Sequence, residues 1–161
     1  MKRIILLLLA VMTVFALAAC GGKTTTVDAQ SLAKALVEKT AFESELSAVS
    51  KEELGYYFQL PEKCDAAAYM SAGSTAEEVF VVECYDAAAA SALRTSMQEF
   101  LNSQKTEMER YLPAEVERIN GAIFETYGTC VVLCVTSDAD TARGIIKEYV
   151  LSLIHISQPT R

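Results

Sequence analysis

The chain has 161 residues, 52% of them apolar, and a formal charge of −7. That acidic balance leaves no electrostatic footprint for nucleic acid, whose phosphates bind surfaces rich in Lys and Arg. Ordinary apolar content with scattered charges indicates a folded domain and not a disordered stalk, and the sequence holds no Walker A loop, G-x-G-x-x-G run or G-x-S-x-G elbow.

The chain opens with a basic pair, Lys2-Arg3, followed by an apolar stretch over residues 4 to about 16 and then Leu17-Ala18-Ala19-Cys20. Small residues stand just before a cysteine, where a signal peptidase needs them. The pattern resembles the lipobox of bacterial lipoprotein signals, in which the cysteine thiol receives a diacylglycerol before cleavage frees its amine. Roughly 16 apolar residues also fall short of the ~20 that span a bilayer. Residues 1–19 are therefore expected to be a signal peptide, with Cys20 the lipidated first residue of the mature protein. Residues 20–27, the run GGKTTTV behind the cysteine, form a short linker. Two or three acyl chains hold a protein firmly at ~0.8 kcal/mol per buried methylene. The expected location is the extracytoplasmic face of the cell membrane, with the lipid bilayer as partner through acylated Cys20.

Residues 151–161 read LSLIHISQPTR. Leu-Ser-Leu-Ile-His-Ile can be encoded as CTG TCT CTT ATA CAC ATC, which resembles the transposon mosaic end of sequencing-library adapters. The segment is set apart from the fold as a non-native tail, and with it goes His155, the single histidine. One domain over residues 28–150 remains. Setting aside Lys2, Arg3 and Arg161 leaves all 21 acidic residues against 11 basic ones, a formal charge of −10.

Asp28 is placed to cap a helix running to about Thr40, with Leu32, Ala35 and Leu36 inward. Residues 42–60 carry little periodicity apart from Ser50-Lys51-Glu52-Glu53, a capping box for a short helix that Leu60-Pro61 ends. A strand over 66–72, a turn over 71–75 and a second strand over 79–85 follow, and Glu83 suggests that one face of the second strand meets water. Asp86 caps the strongest helix, to about Tyr111, whose stripe is Leu93, Met97, Phe100, Leu101, Gln104 and Met108. Pro113 breaks it and starts another, with Val116, Ile119, Ile123 and Phe124 inward and an end near Gly128. Residues 129–136 form an apolar central strand of open direction, and Ser137-Asp138 opens a last helix. The expected fold is α+β: a small, largely antiparallel sheet of about three strands with helices packed on it and one long helix-Pro-helix excursion.

No constellation of catalytic side chains stands out. Cys64, Cys84, Cys130 and Cys134 allow three disulfide pairings. Cys130 and Cys134 share a strand face about 13 Å apart, too far to bond each other, whereas Cys84 could reach one of them from an adjacent strand. No C-x-x-C pair favours zinc. The four are expected mainly as buried apolar thiols, with no metal site and no cofactor. The acidic pairs Glu52-Glu53, Glu77-Glu78, Glu107 with Glu109, and Asp138 with Asp140 read as solvated surface, the last two as helix N-terminal charges. Tyr56, Tyr57, Tyr69, Tyr85 and Tyr111 are candidates for a ligand groove, though such residues more often cap the edge of a small core.

Ala76-Glu77-Glu78-Val79-Phe80-Val81-Val82, the Asp86-capped helix, Tyr111-Leu112-Pro113-Ala114-Glu115 and the strand after Gly128 resemble a family of uncharacterised lipoproteins from Gram-positive, often gut-dwelling, anaerobic bacteria. The resemblance covers roughly 85 residues from about Asp65 onward. It implies an anchored single domain and assigns no catalytic residues. The expected function is that of a non-enzymatic binding or envelope-interaction module with a possible protein partner in the envelope. The alternatives are a solute-binding accessory of a transporter, or a small envelope enzyme using Glu77 or Glu78.

Overall fold

The computed structural model describes residues 26–156, with side chains to Ser152; the expected signal peptide, Cys20 and most of the linker, and residues 157–161, lie outside the described residues. Asp28 caps α1 (Ala29–Lys39), its carboxylate accepting the Ser31 N–H at 2.9 Å. After β1 (Leu46–Val49) the Ser50/Glu53 capping box starts the single turn α2 (Lys51–Leu54). β2 (Cys64–Ser71) and β3 (Glu78–Cys84) form a hairpin. Asp86 accepts the Ala89 N–H at 2.8 Å and opens α3 (Ala87–Tyr111). Pro113 begins α4 (Pro113–Asn120), and β4 (Ile123–Tyr127), β5 (Cys130–Val135) and α5 (Ala139–Ile156) complete the domain. Each helix start expected from a local capping residue is present. Among the described residues no helix is long and apolar enough to cross a membrane.

The sheet has five strands in the order β1-β2-β3-β5-β4, antiparallel at every pairing. It is therefore larger than the expected three strands. β1 forms one edge. β4 forms the other, where the sequence suggested a continuing helix: Ile123 and Phe124 belong to a strand, because α4 ends at Gly121, the chain enters the sheet at Ile123, and a two-residue turn at Gly128-Thr129 then leads into β5. Gly128 has φ +63°, and a glycine at the first turn position with positive φ matches the twist of the flanking strands.

Strand alternation divides the core in two. Val79, Val81, Val132 and Cys134 face α1 and α5, packing on Leu32, Leu36 and Ile146. Phe80, Val82, Val131 and Leu133 face α3 and α4, packing on Leu93, Met97 and Ile119. With helices on both faces and strands on both sides, β3 and β5 are buried along their whole length. Glu83 accordingly does not meet water: it is buried, because the α1 side of β3 is covered. Leu133→Ala is expected to lower unfolding free energy by about 2–5 kcal/mol, as large-to-small changes in a closed core do. Tyr56→Ala, at a side chain 88% exposed, should stay within about 0.5 kcal/mol of the parent. Urea titration followed by circular dichroism measures both.

Candidate functional site

The β2–β3 turn is built by Ser71, whose hydroxyl donates to the Thr75 carbonyl at 2.7 Å and accepts the Thr75 N–H at 3.2 Å, while Gly73 supplies φ +89°. This turn delivers two consecutive glutamates at the head of β3. They are not solvated surface: Glu77 is 1% exposed and Glu78 is fully buried. Adjacent positions point to opposite faces, so the two carboxyls enter different surroundings.

Glu77 turns toward the loop after α1. Its carboxylate accepts the N–H groups of Glu43 and Ser44 at 2.9 Å and the Thr75 hydroxyl at 3.1 Å. Arg118 of α4 lies 3.9 Å from it, pairs with Glu115 at 2.7 Å and also grips Glu43. Glu115 in turn accepts the Ala76 N–H at 2.8 Å. Burial alone would pull the Arg118 guanidinium down, but its hydrogen bond to Glu43 and the charges of Glu115 and Glu77 outweigh that and hold it above its ordinary value. One guanidinium thus ties three carboxylates and two loops together.

Glu78 turns the other way, under α3. One of its oxygens accepts from Gln104 Nε2 at 3.3 Å; Glu78 Oε1 and Gln104 Oε1 are both buried without a hydrogen-bond partner. Desolvation pushes the Glu78 carboxyl up to about 8, and the Gln104 hydrogen bond offsets only part of that. Above it opens a cleft of about 870 Å³, with Met70 and Ser71 on one side, Phe100, Gln104 and Met108 on α3, and Tyr56 and Tyr57 at the mouth. Phe100 stacks edge-on with Tyr57 at 5.8 Å and contacts Phe58 and Phe80 at 5.8 and 6.0 Å, which stiffens this wall. The volume lies within the range of small-molecule sites.

Of the tyrosines considered as groove residues, Tyr56 and Tyr57 line the cleft. Tyr69 packs on the α1 face, Tyr85 lies under Lys63 near the opposite end of β3, and Tyr111 is exposed at the end of α3. Cys64, Cys84, Cys130 and Cys134 are free thiols. Cys130 and Cys134 share the α1/α5 face as expected, whereas Cys84 points to the α3 face. Cys84 cannot reach Cys130 although β3 and β5 are neighbours, since Glu83 and not Cys84 stands in register with Cys130. The residue opposite Cys84 is Cys64. Burial pushes the Cys84 thiol up to about 11 and Cys134 to about 12, so neither is an activated nucleophile. Among the described residues no three His, Cys, Asp or Glu side chains converge as a metal site. Asp138 accepts the Thr141 N–H at the start of α5, and its carboxyl is held low.

The described residues form an α+β fold with a polar-floored cleft under α3 and a buried ion cluster around Arg118. Residues 39–136 match the family described as Domain of unknown function (DUF4358), and the chain belongs to that family. No curated protein and no solved structure matches it. The match runs from the last residue of α1 to the residue after β5, so it contains both Glu78 and the Arg118 cluster. It begins earlier than the resemblance read from Asp65 onward.

Arg118→Met is expected to cost about 3–5 kcal/mol, because it strands buried Glu77 and Glu115 without their counter-charge. Arg143→Met, which breaks an exposed pair with Asp140, should change stability by less than about 1 kcal/mol. Glu78 carries a pH signature. Its folded-state value lies above the unfolded one, so the folded chain holds a proton that the unfolded chain releases. That contribution is full below about 4.5 and is lost as pH rises to about 8. Stability should fall over this window by up to about 1.4 kcal/mol per pH unit. Glu78→Gln, neutral at every pH, should flatten that slope in urea titrations at pH 5, 6, 7 and 8.

Proposed function

We propose that the protein is a non-enzymatic binding module, anchored through acylated Cys20 to the extracytoplasmic face of a Gram-positive cell membrane and presenting the Glu78 cleft away from the bilayer. The observation that carries this reading is the placement of cleft and tether at opposite ends of β3. The Val27 N–H donates to Glu83 Oε2 at 3.1 Å and the Thr129 hydroxyl to Glu83 Oε1, which seats the start of the domain at the foot of β3. Glu78 stands five residues up the strand, about 17 Å away. The seven peptide steps from Cys20 to Val27 reach at most about 25 Å, so a lipid on Cys20 would hold the foot of the sheet close to the headgroups. The cleft would then face the medium.

The cleft supports binding more than catalysis. It offers hydroxyls, several carboxyls, an amide and aromatic walls, but none of the cysteines, and Glu78 has no second titratable group hydrogen-bonded to it as acid–base work requires. A transporter accessory is the second reading, favoured by the outward cleft; against it, such proteins usually close two lobes over a solute and this chain supplies one.

The full chain should partition with membranes when expressed in a Gram-positive host, and Cys20→Ala should move it to the soluble fraction. Retention of that variant in the membrane overturns the anchoring. A panel of small amines, amino acids, sugars and organic acids, added to the isotope-labelled full-length protein in nonionic detergent, should shift resonances confined to Gln104, Phe100 and the β2–β3 turn. A panel without effect there overturns the binding role.

A further inference from the structure

We propose that the cleft binds an organic ammonium compound with more than one cationic nitrogen, one nitrogen seated between Glu78 and Gln104 and the others along the carboxylates of α3. The inference rests on the binding reading above and names the ligand class for that same site. Glu78 Oε1 and Gln104 Oε1 are buried at the floor of the cleft with no hydrogen-bond partner, and once the Glu78 proton leaves, both are acceptors without a donor. Buried acceptors left unmet cost about 1–3 kcal/mol each, and an ammonium group, with three donors and no acceptor, meets both at once.

The charge of the lining has one sign. Glu99 and Glu107 carry it, Glu77 is balanced by Arg118, Glu78 adds a further negative charge when it loses its proton, and no lysine or arginine lines the cleft. Phosphates, nucleotides and organic acids are therefore repelled, and a neutral sugar would leave the field unused. A bare divalent ion wants six or more oxygens, and no such set converges among the described residues. Glu99 and Glu107 stand eight residues apart on α3, about 12 Å along its axis, and both are exposed at the rim. An extended polyamine places its nitrogens over that span, while its methylenes lie on Phe100 and Met108. Tyr57 at the mouth offers a ring face to the cation.

Binding should be coupled to proton release. Buried Glu78 holds its proton at neutral pH, and the ammonium must displace it. The other titratable groups around Glu78 are Glu99 and Glu107 from α3, Tyr56 and Tyr57 from the turn after α2, and Cys134 from β5. Glu77, beside it on the chain, is engaged by Arg118 and backbone amides. β2 presents Met70 opposite Glu78. Affinity should then rise about tenfold per pH unit up to about pH 8 and level off above it.

The test is calorimetric titration of the full-length protein in nonionic detergent with spermidine at pH 6, 7 and 8. The expected result is one-to-one binding that tightens about tenfold per unit, with a proton released on binding. Glu78→Gln should weaken binding at pH 8 at least tenfold and remove the pH dependence, whereas Glu125→Gln on β4 should leave both unchanged. The exposed pair Glu99→Gln/Glu107→Gln, which leaves the core untouched, should weaken binding at least threefold at low salt. No heat with millimolar spermidine, or binding insensitive to all of these cleft changes, overturns the proposal. A neutral or anionic member of the panel that shifts Gln104 where spermidine does not would overturn the ligand class while sparing the binding role; silence from every compound removes both.

Discussion

β3 and β5 lie in the middle of the sheet with helices on both faces, so any polar side chain on them must find its partners inside the protein. β3 and the residue just before it carry three glutamates, and each meets this constraint differently. Glu83, at the foot, takes the Val27 amide and the Thr129 hydroxyl. Glu77 takes two backbone amides, a hydroxyl and the edge of a guanidinium. Glu78 takes one long amide hydrogen bond and keeps an oxygen unmet. Two of the three are structural solutions to burial. The third sits under the α3 cleft, where a deficit of donors can be made good from outside.

The Arg118 cluster explains the long excursion between β3 and β5. A hairpin between those strands needs only a short turn, yet the chain travels through α3 and α4 before returning by way of β4. The detour covers the Phe80 face of the sheet and brings Glu115 and Arg118 back to the β2–β3 turn and the loop after α1. Segments distant in sequence are thereby joined at the rim of the cleft. Those ion pairs hold the β2–β3 turn and the loop after α1 in one arrangement.

The helices were legible because their starts are local. Asp28, Ser50 and Asp86 bond backbone N–H groups three residues ahead, and Pro113 has no N–H that would need an acceptor, so each can be read within a four-residue window. The central strands showed as unbroken apolar runs. The edge strands were hidden for physical reasons: Leu46–Val49 is short and half-buried, and Ile123 continues the spacing of Val116 and Ile119 although Asn120-Gly121 had already ended the helix. Glu77 and Glu78 resembled surface because their burial depends on strand order and on Arg118, some forty residues away, neither of which leaves a local pattern. The one available hint was a pair of carboxyls opening a strand that is otherwise apolar but for Glu83.

The seating of Val27 on Glu83 also decides how the domain answers mechanical load. A pull on the chain ahead of Val27 would meet first the Val27–Glu83 hydrogen bond and the buried Val27 side chain, and then the Asp28-capped start of α1. These contacts can yield one at a time, like the teeth of a zip. The β2–β3 turn and the Arg118 cluster lie at the far end of the same strand, among many bonds that would have to break together. A load applied ahead of Val27 would therefore be felt first at the foot of β3 and last at the β2–β3 turn, five residues and more up the same strand.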